Sequence, residues 1–277
     1  MNARTLLLTA CALLAFAGNS LLCRAAIGGH TIDPASFTFV RILAGAAMLL
    51  ALARGRIRRL DPKRANFGSA LPLAVYAIAF ALAYVGLTAG TGALILFGSV
   101  QLTMLIAAWR KGERPHAREW LGIALALVGL AWLVAPGLSA PPAVSAALMA
   151  LAGVAWGVYS LHGRGATDAV VETASNFVGA LPVVALATLL PGPPRLLSWP
   201  GFGFAVASGA LASGLGYALW YQALPRLTAV RASAVQLAVP ALAALGGVLL
   251  LGEHLSPRLV LAAALILGGI GLTLARR

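Results

Sequence analysis

Aromatic side chains recur at helical spacing inside several long apolar stretches of this sequence. Three pairs lie three or four positions apart, which places each pair on one face of a helix. The pairs are Tyr76 and Phe80, Trp156 and Tyr159, and Tyr217 and Trp220. Flat rings with a few polar groups among them are how binding pockets recognise amphipathic solutes. Two interpretations are open: the rings pack between helices, or they line a water-filled cavity.

Uncharged polar side chains also occur in the middle of the apolar stretches. They are Asn19, Ser20, Ser99, Gln101 and Gln236. A buried hydroxyl or amide requires a hydrogen-bond partner in a membrane interior. Hydrogen bonds between helices and the wall of a cavity account for these residues equally well. All five therefore join the aromatic pairs as candidate cavity-lining positions.

Arg41 lies seven residues past Pro34, roughly 10 Å into a helix that starts there. A guanidinium at that depth costs at least ~2.5 kcal/mol unless it extends to the surface or finds a partner. One interpretation is a structural role in which the side chain extends to the outer surface. The other is that Arg41 holds a substrate carboxylate through two parallel hydrogen bonds. Arg41 completes the set of candidate substrate-binding residues.

Patterns typical of enzymes and metal sites are absent from the sequence. The four histidines lie near the ends of apolar stretches, without an HExxH, GxSxG or phosphate-loop motif. The seven acidic residues also lie away from the middle of these stretches. We therefore predict no catalytic residues, no metal and no cofactor. None of the seven acidic residues could therefore relay a proton through the middle of such a stretch.

The composition indicates an integral membrane protein surrounded by a lipid bilayer. Hydrophobic residues make up 61% of the 277 residues and charged residues only 10%, whereas soluble domains carry about 25% charged residues. The net charge of +13 comes from basic residues in short gaps between apolar stretches. That placement indicates membrane topology and not a nucleic-acid partner. The sequence sets no oligomeric state.

Ten apolar stretches are long enough to span a hydrocarbon core of ~30 Å. They fall at about 5–26, 34–53, 66–88, 91–109, 117–135, 144–163, 170–190, 201–223, 228–250 and 257–275. Their length and their lack of alternation exclude membrane β-strands. The predicted fold class is an all-α polytopic membrane protein with ten transmembrane helices.

An internal repeat relates the two halves of the chain at an offset of 140 positions. Under this offset residues 109–135 and 249–275 coincide at nine of 27 positions. The most informative matches within these stretches are Gly112 with Gly252 and Glu113 with Glu253. Outside them, Arg24 matches Arg164 and Thr88 matches Thr228 at the same offset. We predict two five-helix repeats, at residues 1–139 and 140–277.

The basic residues orient these helices. With a cytoplasmic N-terminus, sixteen of the 20 Lys and Arg residues fall on the cytoplasmic side. The remaining four are Arg24, Arg41, Arg195 and Arg258. The positive-inside rule then predicts that both termini are cytoplasmic. An odd number of helices per repeat inverts the second repeat, an arrangement that builds secondary transporters with a substrate site near the midplane.

The ordered set of motifs resembles the EamA-type members of the drug/metabolite transporter superfamily. It comprises ten helices in two halves, a Gly-Glu pair after the fourth and the ninth helix, and Arg41 in the second helix. The stretches AWGVYSL at 155–161 and GYALWYQAL at 216–224 make the chain similar to bacterial exporters of the YddG type, which move aromatic amino acids. One departure is that the second helix of the first half has Arg41, whereas the second helix of the second half has Asn176 and no arginine.

The resemblance implies a secondary transporter of the bacterial inner membrane. The expected activity is export of small amphipathic metabolites by alternating access, with aromatic and other neutral amino acids as the favoured cargo. A drug or nucleotide-precursor exporter is the alternative within the superfamily. Two alternatives belong to other classes of protein. An intramembrane lipid-modifying enzyme would need acidic residues gathered at one depth in the membrane. A non-transporting membrane scaffold would have no use for polar groups at mid-depth.

Overall fold

Ten helices form the part of the chain that the structure, a computed structural model, describes. The described residues are 3–53, 67–110, 117–135, 140–163, 168–189, 194–227, 232, 235–236 and 238–274. The helices are α1 (Ala3–Gly28), α2 (Pro34–Leu52), α3 (Phe67–Ala83), α4 (Ala89–Arg110), α5 (Ala117–Val134), α6 (Ala143–Gly163), α7 (Ala169–Thr188), α8 (Trp199–Arg226), α9 (Ala238–Leu251) and α10 (Pro257–Leu274). No strand occurs within these ranges, so the predicted all-α fold is confirmed.

Six of these helices, α1, α2, α4, α6, α7 and α8, are long and apolar enough to cross a membrane. The other four contain shorter apolar helical segments. Three predicted features fall outside the described ranges: the basic segment 54–64, the Gly112-Glu113 pair, and the first residues of the ninth apolar stretch.

Polar side chains at the helix ends fix where several helices begin. The Asp33 carboxylate accepts hydrogen bonds from the backbone N–H groups of Ala35 and Ser36 at 3.1 and 3.0 Å, and Pro34 occupies the first turn of α2. The Ser198 hydroxyl accepts from the N–H of Gly201 at the start of α8. Such caps satisfy N–H groups that have no partner within the helix. Short polar and proline-containing segments therefore separate the apolar helices.

Helix α8 is not a regular α-helix along its length. Its central segment, Ser208–Leu215, is π-helical, with α-helical segments before and after it. A π-helical turn is wider than an α-helical turn and occurs frequently at functional sites. This segment supplies two buried serines, Ser208 and Ser213, to the interior of the molecule.

Burial of polar and apolar residues is reversed relative to a soluble protein. Large apolar side chains such as Leu7, Leu249 and Leu250 are exposed, whereas Asn176 and Arg41 are buried. An apolar exterior is stable only in contact with lipid, and buried polar groups require partners inside the protein. The chain is therefore a multi-pass membrane protein.

The helices pack in a pattern that repeats between the two halves. Helix α1 packs on α8 and α9, and α6 packs on α3 and α4. Helix α2 contacts α7 and α8, while α7 contacts α2 and α3. Helices α4 and α9 pack together, as do α5 and α10. Exchanging each helix for the one five places along the chain leaves these contacts unchanged, which places the centre of the molecule between the halves.

Candidate functional site

Arg41 lies at the centre of the helix bundle and is fully buried. Its Nε donates a hydrogen bond to the Ser213 hydroxyl at 3.0 Å, and its Nη2 donates to the hydroxyls of Tyr217 and Tyr76 at 2.8 and 3.2 Å. Its Cζ lies 5.1 Å from the centre of the Phe80 ring, within the range of cation–π attraction. The side chain therefore points into the protein and does not extend to the outer surface.

The Tyr76 hydroxyl joins Arg41 to a second set of polar groups. It accepts a hydrogen bond from Asn19 Nδ2 at 3.0 Å, and it lies 3.1 Å from the Tyr217 hydroxyl. Asn19 Oδ1 in turn accepts from the Ser208 hydroxyl at 2.7 Å. The chain of hydrogen bonds thus runs through α1, α2, α3 and α8, and it connects both halves of the molecule. We call the six residues joined by these hydrogen bonds the Arg41 network: Asn19, Arg41, Tyr76, Ser208, Ser213 and Tyr217.

Close approach of α2 and α8 makes the Arg41 network possible. A methyl group at Gly209 would overlap the carbonyl group of Arg41, and one at Gly45 would lie 3.0 Å from the carbonyl oxygen of Gly209. The absence of side chains at these two glycines lets the backbones of α2 and α8 lie against each other. Ser213, one turn after Gly209, thereby comes within hydrogen-bond distance of Arg41.

Aromatic rings surround the Arg41 network on its inner side. The Trp156 ring lies 4.6 Å from the ring of Tyr217, 5.1 Å from that of Tyr76 and 5.3 Å from that of Phe16. Phe16 also packs edge-on against Trp220 at 5.7 Å. The three predicted aromatic pairs, on α3, α6 and α8, therefore meet in one cluster.

The cavity inside this cluster is closed in the present conformation. Its volume is about 10 Å³, which holds one water molecule at most, whereas ligand pockets measure about 300–1,000 Å³. The residues that line it are Phe16, Ser20, Tyr76, Phe80, Leu96, Phe97, Trp156 and Tyr217. Binding of any larger solute therefore requires these rings to separate.

The remaining predicted residues are buried at varying positions around this centre. Gln236 Oε1 accepts a hydrogen bond from the indole N–H of Trp156 at 3.2 Å. Ser99 on α4 packs against Gly153 on α6. The two residues are so close that a methyl group at Gly153 would overlap the Ser99 side chain. Gln101 is buried on α4. All twelve predicted site residues are thus buried, and Asn19, Arg41, Tyr76, Phe80, Trp156 and Tyr217 meet at the centre.

A second polar cluster lies beside the first, between α6, α7 and α8. The Tyr159 and Tyr221 rings stack with centres 5.1 Å apart, and the Tyr221 hydroxyl donates to the backbone carbonyl of Tyr159. Asn176 lies next to both hydroxyls. Neither amide atom of Asn176, nor the Tyr159 hydroxyl, has a hydrogen bond of good geometry to any described residue. We call Tyr159, Asn176 and Tyr221 the Asn176 cluster.

Ion pairs between the halves close one end of the molecule. Arg24 Nε lies 3.1 Å from Glu253 Oε1, and Arg195 Nη1 lies 3.1 Å from Asp33 Oδ1. At the same end, the Arg258 guanidinium donates to the carbonyl groups of Trp132 and Ala135. These three arginines are ones that the sequence assigned to the non-cytoplasmic side.

The Asp33 carboxylate at this end is held in its ionised form. Its burial raises the pKa of the carboxyl group, but hydrogen bonds from Ser36, from the backbone N–H of Leu196 and from the Arg195 guanidinium outweigh burial. The net result is a pKa below the ordinary value for aspartate. Asp33 also forms the end of a short backbone pairing, in which its N–H donates to the Leu196 carbonyl at 2.9 Å.

Several residues of the centre were missed by the sequence interpretation. Phe16 aligns with Trp156 at the repeat offset, which could have identified it as part of the aromatic cluster. Ser213 lies in a Gly209-x-x-x-Ser213 pattern that indicated only close helix packing. Ser208 carried no signal, because its inward direction depends on the π-helical segment.

Apolar helices around a buried polar and aromatic centre define a class of protein, the polytopic membrane carriers, whose substrate sites lie between repeats. The sequence pattern of the EamA-like transporter family matches residues 3–135 and again residues 144–275. The chain therefore belongs to the EamA-like transporter family, as the motifs predicted, and it is a transporter and not an enzyme.

The chain is also similar to three relatives and to one solved structure. An uncharacterized protein of Pseudomonas aeruginosa is 54% identical over 99% of this chain and 96% of its own length. An Escherichia coli protein named "Probable amino-acid metabolite efflux pump" is 24% identical over 88% of this chain and 86% of its own length. The Escherichia coli threonine/homoserine exporter RhtA is 32% identical over 62% of this chain and 60% of its own length.

The solved structure, a crystal structure, shares the fold with a TM-score of 0.70. It is 22% identical in sequence, and the alignment covers 98% of this chain and 96% of that one.

Proposed function

We propose that this transporter exports amino acids, with aromatic and other neutral amino acids as its cargo, by alternating access across the bacterial inner membrane. The observation that carries the proposal is the buried guanidinium of Arg41. No acidic residue in the described part of the chain forms an ion pair with it. A buried cation without a counter-ion is costly, and the carboxylate of an amino acid supplies that counter-ion when it binds.

The geometry around Arg41 suits a carboxylate. Its Nη1 has no hydrogen-bond partner among the described residues, whereas Nη2 and Nε donate only to neutral hydroxyls. A carboxylate can accept from two guanidinium nitrogens at once, and such charge-assisted hydrogen bonds are stronger than those to hydroxyls. An incoming carboxylate can therefore bind the free Nη1 group, and it can displace a hydroxyl, which is the weaker acceptor, from Nη2 or Nε.

The rings beside Arg41 support an aromatic or apolar amino-acid side chain. Trp156, Tyr76 and Phe80 offer ring faces and edges next to the guanidinium, and aromatic pairs in such arrangements are worth about 0.5–1.5 kcal/mol beyond burial. The relatives whose names refer to amino-acid metabolite and threonine/homoserine export are consistent with this cargo. A buried positive charge disfavours cationic drugs, while an anionic nucleotide precursor is the competing cargo that the experiment must exclude.

The orientation in the membrane is part of the proposal. Sixteen cations on one side favour cytoplasmic termini, and the end closed by the Arg24–Glu253 and Arg195–Asp33 pairs is then periplasmic. In a variant without native cysteines, Arg58→Cys should resist a membrane-impermeant thiol reagent in intact cells, and Trp199→Cys should react. The opposite labelling pattern would show that the termini face outward, and it would contradict the orientation on which the proposed direction of transport depends.

Transport by purified protein in proteoliposomes tests the cargo. Vesicles loaded with labelled tryptophan should release it faster than protein-free vesicles, and excess unlabelled phenylalanine should compete. A nucleoside monophosphate and a cationic dye should compete poorly. Arg41→Gln should lower tryptophan transport about tenfold or more, because a charge-assisted hydrogen bond contributes about 1.5–3 kcal/mol.

The matched control is Arg118→Gln, which removes the same charge from an exposed position at the start of α5. It should transport tryptophan at the wild-type rate, and both variants should be compared at equal amounts of folded protein. Full tryptophan transport by folded Arg41→Gln protein, or competition by the nucleotide in place of phenylalanine, would overturn the proposed cargo.

A further inference from the structure

The Asn176 cluster contains buried polar atoms that the Arg41 network does not use. Asn176 and Tyr159 are each fully buried. Asn176 Oδ1, Asn176 Nδ2 and the Tyr159 hydroxyl lack a hydrogen bond of good geometry to any described residue, although Asn176 lies beside the Tyr159 and Tyr221 hydroxyls. An unpaired buried polar group costs about 1–3 kcal/mol. Three buried polar atoms without a well-formed hydrogen bond require an explanation, and a ligand that binds between the halves supplies one.

The repeat places this cluster opposite the Arg41 network. At the offset of 140 positions, Tyr159 is the counterpart of Asn19, and Ser160 is the counterpart of Ser20. Tyr217 connects the two sites, because its hydroxyl accepts from Arg41 at 2.8 Å while its ring lies 6.3 Å from the Tyr159 ring. A solute between the halves therefore meets the Arg41 network on one side and the Asn176 cluster on the other.

The surroundings of the Asn176 cluster favour a positively charged group. Glu172 lies one turn before Asn176 on the same face of α7, is partly buried, and acts electrostatically on both Tyr159 and Tyr221. The two stacked tyrosine rings offer π faces that attract cations. An ammonium group has three N–H donors and therefore requires hydrogen-bond acceptors. The Oδ1 atom of Asn176 and the hydroxyl oxygen of Tyr159 can both accept. The cluster has the opposite electrostatic character to that of Arg41.

We propose that the Asn176 cluster, together with Glu172, is the binding site for a protonated primary amine of the substrate. This inference rests on the proposed function insofar as Arg41 binds the carboxylate of the same solute. The two sites together favour solutes that carry both an acidic and an amino group, because an acid or an amine alone binds at only one of them.

Binding of two half-substrates to purified protein in lipid nanodiscs tests the site. Phenethylamine carries the amine without the carboxylate, and 3-phenylpropanoate carries the carboxylate without the amine. The concentration dependence of Tm reports the apparent Kd of each ligand. We expect Asn176→Leu to weaken phenethylamine binding about tenfold or more, and Tyr159→Phe and Glu172→Gln to weaken it several-fold. Binding of 3-phenylpropanoate should be unchanged in all three variants.

The matched control is Thr173→Val, which removes a buried hydroxyl from the same helix. That hydroxyl bonds to the Ala169 carbonyl, so its loss should leave phenethylamine binding at the wild-type level. If Asn176→Leu does not fold, Tyr159→Phe and Glu172→Gln carry the comparison, since each preserves the shape of the side chain.

The outcomes separate this inference from the proposed function. Phenethylamine that fails to bind the wild-type protein, or that binds all variants equally, overturns the amine site even if phenylalanine is exported. Phenethylamine binding that depends on Asn176, Tyr159 and Glu172 supports the amine site even if vesicles export no amino acid, in which case the proposed cargo alone is wrong.

Discussion

The Glu253 carboxylate binds Arg24 and also caps a helix of the other half of the chain. Its Oε1 lies 3.1 Å from Arg24 Nε, and both of its oxygens accept from the N–H of Ala89, the first residue of α4, at 3.0 and 2.9 Å. A negative charge at a helix N-terminus is stabilised by the helix dipole. One side chain between α9 and α10 therefore holds the ends of α1 and α4.

The preceding glycine makes this capping arrangement possible. Gly252 has φ +64, a left-handed conformation that side chains rarely adopt, and it turns the chain so that Glu253 points back toward α4. The equivalent residues of the first half, Gly112 and Glu113, lie outside the described residues, as does Arg164, the counterpart of Arg24.

We predict that Glu253→Gln and Arg24→Gln destabilise the protein and that their effects are not additive. Glu253→Gln loses an ion pair and weakens the cap of α4, a loss of about 1.5–3 kcal/mol, and Arg24→Gln should cost less because its side chain is partly exposed. Thermal denaturation of the wild type, both single variants and the double variant gives the interaction free energy between the two side chains. We expect a value of about 1 kcal/mol. Strictly additive shifts in Tm would show that the pair contributes nothing to stability.

The Asp33–Arg195 pair predicts a dependence of stability on pH. The pKa of Asp33 is lowered in the folded state, so its contribution is complete above the unfolded-state value of about 4. That contribution is lost as the pH falls through the folded-state pKa. We expect the Tm difference between wild type and Asp33→Asn to be largest near neutral pH and to shrink below about pH 4. A difference that grows on acidification would contradict the prediction.

Gly209 is predicted to be essential for the Arg41 network. A methyl group there overlaps the backbone carbonyl of Arg41, and backbone atoms cannot move aside as a flexible side chain can. Gly209→Ala should therefore separate α2 from α8, lower Tm and abolish tryptophan transport. Gly203→Ala on the same helix is the control, since its added methyl group meets no atom within 4 Å and should leave both quantities near wild type. Normal transport by Gly209→Ala would show that α2 and α8 are not in close contact in the working protein.

Energy coupling is predicted from the position of the acidic residues. Asp33, Asp168 and Glu253 lie at helix ends, and Glu119 lies in the first turn of α5. Glu172, in the first turn of α7, lies beside the Asn176 cluster, so no carboxylate in the described part of the chain belongs to the Arg41 network. We expect a facilitator that moves its solute down its own gradient. Proteoliposomes with equal tryptophan on both sides and an imposed pH gradient should show no net accumulation. Accumulation that a protonophore abolishes would establish proton coupling and direct attention to His162, which lies 3.3 Å from the Ser69 hydroxyl.

The sequence by itself determined the class of the protein and its helices. Apolar stretches of transmembrane length can only be helical in lipid, because the backbone must satisfy its own hydrogen bonds there. The burial of all twelve predicted residues was predictable for the same reason, since polar groups such as Asn19 and Gln236 cannot face lipid. The assignment to the EamA-like family followed from motifs that are local in the chain.

Only the tertiary structure decided which of these residues meet. Arg41 could have extended to the surface or turned inward, and the choice depends on Ser213 and Tyr217, which lie more than 170 residues later. Those partners come within hydrogen-bond distance for two reasons. Gly209 has no side chain, so α2 can pack closely against α8, and the π-helical segment of α8 turns its serines inward. Hydrogen bonding between distant helices has no periodic signature in the sequence, so the Arg41 network and the Asn176 cluster could be recognised only from the packed helices.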